Sequence, residues 1–242
     1  MFRSRPLVAA VGAVTALAVA ATPALAVQSK QSMTATVTPV QKAGIAKASK
    51  QRPANVALTL NPTVAFDAKD SPFATSRAVI SLDRNVSFGG WKLPGCTAPQ
   101  AVLGTCSPKA KVGTGTALAL AAGIREPLEV TAYNGSDGRS LLIRVQADKP
   151  LPIDEVIVGQ LSKASGPYGS KMTLDIPKGL QQPAPGAWAT LLDFNIKLKG
   201  GTNASPLFAL TKAPKGGVKV GGAFTFTDGT TQTVATTAAL RK

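Results

Sequence analysis

The sequence predicts an all-β protein, an antiparallel β-sandwich with Greek-key or jelly-roll-like connections, following a cleaved signal peptide and a flexible basic arm. Three observations predict it. From Asn55 onward, short runs alternate apolar and polar residues with period two, separated by clusters of Gly, Pro, Asn and Asp. Tight-turn signals join neighbouring runs, which makes their pairing antiparallel. No segment between runs has the length and 3.6-residue periodicity of the crossover helix that a parallel sheet needs.

In chain order, Arg3 and Arg5 precede an uncharged apolar stretch at 7–21. Thr22-Pro23 breaks it, and Ala24-Leu25-Ala26 forms an A-x-A cleavage site. Residues 1–26 are therefore expected to be removed on export, the stretch being shorter than the roughly 20 residues of a membrane span. Residues 27–52 are rich in Ser, Thr, Gln, Ala and Lys and hold no acid. They are expected to form the flexible arm, with Lys30, Lys42, Lys47, Lys50 and Arg52 as its charges. Residues 53–242 are expected to fold as one sandwich domain. Its strands fall at 56–60, 77–88, 111–120, 128–133, 140–146, 153–161, 171–176, 188–198, 206–210, 218–226 and 230–238. Turns at 134–138 and 165–169 join two pairs of runs, and Asp228-Gly229 reads as a two-residue type I′ turn between Phe226 and Thr230.

Composition narrows the chemistry. The 242 residues carry 27 Lys+Arg against 12 Asp+Glu, a formal charge of +15, and no histidine. Ser-His-Asp and Cys-His catalysis, His-ligated zinc or haem, and histidine pH switching are thereby excluded. No G-x-S-x-G elbow or S-x-x-K motif is present either. Cys96 and Cys106 are the only cysteines and share a segment rich in Pro and Gly. In an oxidising exported setting they read as a disulfide, which on the loop-entropy estimate contributes about 2.5 to 3 kcal/mol. Their spacing is not the C-x-x-C of a redox dithiol.

Lys111-Val-Gly-Thr-Gly-Thr-Ala-Leu118 superficially matches a nucleotide loop, but Leu118 stands where the third small residue belongs and no G-K-[ST] follows. A strand entry with Gly113 and Gly115 at a bulge or close backbone approach is expected instead. The carboxylates are scattered. Asp175 and Asp193, each within a strand-like run, are the pair that could face one another across a cleft in the manner of a glycosidase. Asn134, Ser136 and Asp137 are the best calcium candidates. No catalytic residue, metal site or cofactor is expected.

The stretches Leu93-Pro-Gly-Cys96, Cys106-Ser-Pro-Lys-Ala-Lys-Val-Gly-Thr-Gly-Thr-Ala117, Ala132-Tyr-Asn-Gly135, Tyr168-Gly169 before Asp175-Ile-Pro177, and Phe224-Thr-Phe-Thr-Asp-Gly-Thr230 carry a resemblance. Over about residues 56–234 the chain resembles a group of exported actinobacterial proteins with no assigned activity. The resemblance implies an exported, disulfide-containing β-rich domain and brings no catalytic residue with it. Relatives in that group often have a second cysteine pair in the last third. This chain has none there.

The functional expectation is an exported non-catalytic binding or structural protein of the cell envelope, contacting anionic polymers or lipid head groups through Lys30, Lys42, Lys47, Lys50 and Arg52. Nucleic acid is disfavoured, because export separates the protein from it and Arg residues are not interleaved with aromatics. The rival is a carboxylate-dependent glycan hydrolase.

Overall fold

The alternation that begins near residue 55 becomes a set of strands in the computed structural model, which describes residues 30–40, 45, 48–65, 73–202 and 204–240. The expected signal peptide at 1–26, Lys42 and Lys47 lie outside the described residues. The strands are β1 (Lys30–Pro39), β2 (Ala54–Ala65), β3 (Thr75–Asp83), β4 (Val86–Phe88), β5 (Lys111–Ala121), β6 (Ile124–Asn134) and β7 (Ser140–Ala147). They continue with β8 (Ile153–Lys163), β9 (Tyr168–Asp175), β10 (Ala189–Leu198), β11 (Phe208–Leu210), β12 (Val218–Phe226) and β13 (Thr231–Ala238). Among the described residues two short α-helices interrupt them, α1 (Ala98–Val102) and α2 (Lys178–Gln181). Every run expected to be a strand contains one, and the run at 77–88 splits into β3 and β4 around Arg84-Asn85.

All the ladders are antiparallel, as expected, but they form one sheet and not two packed face to face. Its order is β13-β12-β3-β9-β8-β7-β6-β5-β10-β2-β11-β4, with β1 beside β2. The expected sandwich is thus corrected to a single open sheet of 13 strands. The cause lies in consecutive hairpins from β5 to β9, which pair each strand with the next and leave none to cross to a second layer. Twist does the rest, since a long sheet rolls until its edges approach. Here β1 comes against β13, where the Gln31 amide donates to Gln232 Oε1 at 2.8 Å and Val37 and Leu240 form one parallel bridge. Among the described residues no ladder closes this seam.

Residues 30–39 also correct the expected arm. They are not flexible chain but β1, paired with β2 at all ten positions from Lys30↔Ala65 to Pro39↔Val56. The signal was present as strict alternation, because Gln31, Met33, Ala35 and Val37 are buried while Ser32 and Thr34 are exposed. Its Thr- and Ser-rich outer face disguised it as a linker.

The sheet's concave face holds the core, with Ile80, Leu128, Ile143, Met172, Ile196 and Phe224 among its members. Two ends result. At one, which we call the mouth, lie the starts of β1, β3, β6, β8, β10 and β13. At the other, β11 continues the line of β10 along β2 and pairs with β4, which carries the ribbon across the base. Phe88 and Phe208 meet there with ring centroids 5.5 Å apart, and Asp83 accepts from the Asn85 amide and side chain and from the Lys219 amide. This is the closed end.

Turn chemistry distributes differently from expectation. The two-residue turn with positive φ at both positions is Ala122-Gly123, joining β5 to β6. The Asp228-Gly229 connection is longer, with Phe226 donating its amide to the Thr230 carbonyl and only Gly229 at positive φ. Gly115 is where a side chain is excluded: a Cβ there would collide with the Asn195 carbonyl oxygen of β10. The glycine-rich stretch is therefore a strand with close backbone approach, bulged between Lys111 and Gly113.

Candidate functional site

The inner face is not filled. Several inward positions are occupied by Ala, among them Ala78, Ala117, Ala119 and Ala189, and the rolled sheet leaves a cavity of about 130 Å³ above them. Larger neighbours such as Leu60, Ile80, Leu128, Ile143, Met172 and Phe224 complete an apolar lining. An Ala-rich composition thus has a structural consequence, because alanine covers the sheet without reaching the centre.

The mouth is partly covered. The connection from β9 to β10 carries α2 across it, packed against β8, β3 and β10, and Ile176 and Leu180 join the lining from above. Gln181 Nε2 donates to the Ile176 carbonyl at 2.6 Å and fixes the strap. Beside it a second concavity of about 400 Å³ spans the mouth. Phe73 and Thr227 border it from the β2–β3 and β12–β13 connections, and Ala122, Ala187 and Trp188 from the side of β5 and β10. Phe73 and Trp188 are exposed, as is the neighbouring Ile124.

Gln31 and Glu126 are among the buried polar residues at this end. Gln31 lines the cavity, and its Nε2 donates to the Thr63 and Ser32 carbonyls at 3.0 and 3.3 Å. Those two acceptors fix the orientation of the amide, leaving Oε1 buried without a donor. Glu126, wholly buried, follows the inward alternation of Leu128 and Val130 and pairs in register with cavity-lining Ala119. Its Oε2 accepts from the Leu151 amide at 3.1 Å, and Oε1 has no partner. Neither residue was singled out from the sequence as a site. A Gln in an inward register and a Glu between Arg125 and Pro127 become visible only once the strand phase is known.

The carboxylates proposed for hydrolysis do not meet. Leu174 and Phe194 point inward, so their neighbours Asp175 and Asp193 point out of the sheet, on strands separated by β8, β7, β6 and β5. Each has its own partner: Arg77 Nε lies 3.4 Å from Asp175, and Asn61 Nδ2 donates to Asp193 at 3.1 Å. The calcium candidates serve structure. Asn134 is buried, and its Nδ2 shares two hydrogens among the carbonyls of Gly90, Leu93 and Pro94 at 3.0 to 3.3 Å. Asp137 Oδ1 accepts from the Arg139 and Ser140 amides and the Ser140 hydroxyl. Burial pushes this carboxyl up, but those hydrogen bonds outweigh it and hold it below the usual carboxylate range. Among the described residues no cluster of three metal-ligating side chains occurs.

Cys96 and Cys106 form the expected disulfide, with Cα atoms 5.5 Å apart. Cys96 exchanges main-chain hydrogen bonds with the β6–β7 turn, donating to the Asn134 carbonyl and accepting from Ser136. The charges expected to form a single arm are dispersed: Lys30 is exposed at the mouth, and Lys50 and Arg52 are exposed at the closed end. On the flank, Arg144 grips Asp154 through two hydrogen bonds of 2.8 and 2.6 Å. This contact draws the Asp154 carboxyl below its ordinary range.

Compared with known proteins, the chain matches no family model, no curated protein and no solved structure.

Proposed function

We propose that the protein is a non-catalytic binding protein that takes a small apolar molecule, or the end of a single hydrocarbon chain, into the hollow of its sheet through the mouth. The observation that carries this reading is the apolar cavity of about 130 Å³ lying beneath a larger concavity at the same end. An apolar cavity of about 150 Å³ stays dry and admits a benzene-sized guest, so this one suits a short stretch of hydrocarbon, with room at the mouth for a head group. The unsatisfied Gln31 Oε1 favours a guest whose polar end donates a hydrogen bond, such as an alcohol. The expected leader and the disulfide are in keeping with an exported, oxidising setting.

Calorimetric titration with 1-octanol tests the reading. Saturable 1:1 binding with a negative heat-capacity change is expected. Ala117→Phe, which fills the cavity, should abolish it, and Ile143→Ala, which enlarges the cavity, should admit longer alcohols. Absence of saturable heat with the unaltered protein overturns the reading. Gln31→Leu should bind n-octane and 1-octanol alike, losing the preference for the alcohol.

A further inference from the structure

We propose that the closed end is a peripheral docking face for an anionic lipid bilayer, which holds the mouth turned away from the membrane. The proposal is independent of what occupies the hollow. It rests first on the segregation of the acids: exposed cations stand at both ends, Lys30, Arg125, Lys149 and Lys178 among them at the mouth, but carboxylates offset them there. Each connection at the closed end carries exposed cations: Arg84 after β3, Lys92 in the disulfide loop, Arg139 between β6 and β7, Lys163 at the end of β8, and Lys212 and Lys215 between β11 and β12. The carboxylates among the described residues at that end are Asp83 and Asp137, the first buried and both engaged in hydrogen bonds of their own. The other described acids lie toward the mouth or on the flanks, and so do the ion pairs Arg77–Asp175 and Arg144–Asp154. The protein is thus strongly polarised along the axis of the rolled sheet, and a plane of negative charge orients such a molecule as well as attracting it.

The second observation distinguishes a bilayer from a soluble polyanion. Trp91 is 67% exposed, next to Lys92, and its backbone lies against Gly138 in the β6–β7 turn. A chain of phosphates gains nothing from an exposed indole, whereas the bilayer interface accommodates a ring with one apolar and one polar side beside a cation. The cations ring a broad end instead of lining a cleft, and the two cavities described above lie inside the sheet and at the mouth. A planar partner fits that arrangement.

The two tryptophans report which end docks, since Trp91 marks the closed end and Trp188 the mouth. The intact chain is mixed with vesicles of phosphatidylglycerol and phosphatidylcholine, against phosphatidylcholine alone, across a salt series. Co-sedimentation only with the anionic vesicles is expected, falling at least tenfold between low and physiological salt. With Trp188→Phe the remaining Trp91 emission should shift to the blue on binding, and with Trp91→Phe the remaining Trp188 emission should not. The triple variant Lys163→Glu, Lys212→Glu, Lys215→Glu should lose binding at least tenfold. The variant Lys30→Glu, Arg125→Glu, Lys178→Glu carries the same change of net charge at the mouth and should lose less than twofold. Circular dichroism melts check that both remain folded. Equal losses in the two variants, a Trp188 shift in place of Trp91, or capture by soluble polyphosphate with vesicles left unbound would each overturn the proposal.

Discussion

At the mouth, an apolar cavity stands unfilled, Phe73 and Trp188 border an open concavity, and a four-residue helix is the main cover. The closed end differs in how its loops are held. Asn134 donates to three carbonyls although its own Oδ1 is buried without a partner, Asp83 and Asp137 accept from main-chain amides and from a neighbouring side chain, a disulfide ties the adjoining loop, and a second short ribbon crosses the base. The difference separates two tasks of one sheet. Polar side chains that each join several main-chain groups fix the geometry of the loops between them, while unfilled volume is what a ligand requires. If this contrast is right, substitutions of equal size at the two ends should have unequal effects on stability.

The largest effect is expected at Asn134. Replacing it with Ala strips hydrogen bonds from the Gly90 carbonyl in a buried setting and from those of Leu93 and Pro94 in part-buried ones, which at about 1 to 3 kcal/mol for a buried group left unpaired and less for the other two should cost about 2 to 4 kcal/mol. Urea denaturation measures it. Gln31→Leu at the mouth strips hydrogen bonds from two carbonyls, those of Ser32 and Thr63, and puts apolar volume against an apolar cavity in exchange, so it should cost about 1 kcal/mol or less. Equal losses would break the comparison. A large loss only at position 31 would invert it.

The disulfide comes next. Cys96→Ser with Cys106→Ser should cost about 2.5 to 3 kcal/mol on the loop-entropy estimate, without unfolding the sheet, whose core on the concave face does not include the bridge. Hydrogen exchange locates the loss. Amides of 89–110 and of the β6–β7 turn should exchange faster, while β2, β5 and β10 keep their protection. Uniform acceleration would mean that the bridge supports the whole sheet, and the two ends would then not be separable.

How much of this was legible beforehand differs by level. Strand positions were readable because alternation and turn residues are local: β12 falls at 218–226 in both sequence and structure. The Cys96–Cys106 bridge was readable because no other pairing exists. The number of layers was not, since whether consecutive hairpins roll into one sheet or fold into two depends on accumulated twist and on contacts between residues as distant as Gln31 and Gln232. β1 was missed because low hydrophobicity on its outer face outweighed an alternation only four inward residues long. The hollow was missed for a related reason: Ala117 and Ala119 read as ordinary strand residues until their inward direction and the breadth of the sheet are known together. The stretches behind the resemblance read as separate motifs, yet Leu93–Cys96 and Ala132–Gly135 meet around the Asn134 side chain.

The smallest effect is the pH dependence, and it too distinguishes the ends. Asp154 on the flank is held below the usual carboxylate range chiefly by the hydrogen bonds from Arg144, and Asp137 at the closed end by the Ser140 hydroxyl and neighbouring amides against the opposing push of burial. A carboxyl whose pKa is lower in the folded state binds its proton more readily when unfolded. Its contribution is therefore complete above the unfolded value of about 3.8 and is lost as pH falls through the lower folded value. Stability should be flat with respect to these two groups from pH 5 to 7 and decline below about pH 4. Both side chains keep contact with solvent, so each contributes under about 1 kcal/mol. Asp154→Asn and Asp137→Asn should each flatten part of that acid decline in urea midpoints taken from pH 2.5 to 7. Salt separates them further. The Arg144–Asp154 share is coulombic in part and should shrink in 1 M NaCl, whereas the Asp137 share is made of short hydrogen bonds to uncharged donors and should persist. An acid decline that disappears entirely at high salt would place the turn at 134–140 under long-range charge, and would remove Asp137 from the network that makes the closed end the rigid one.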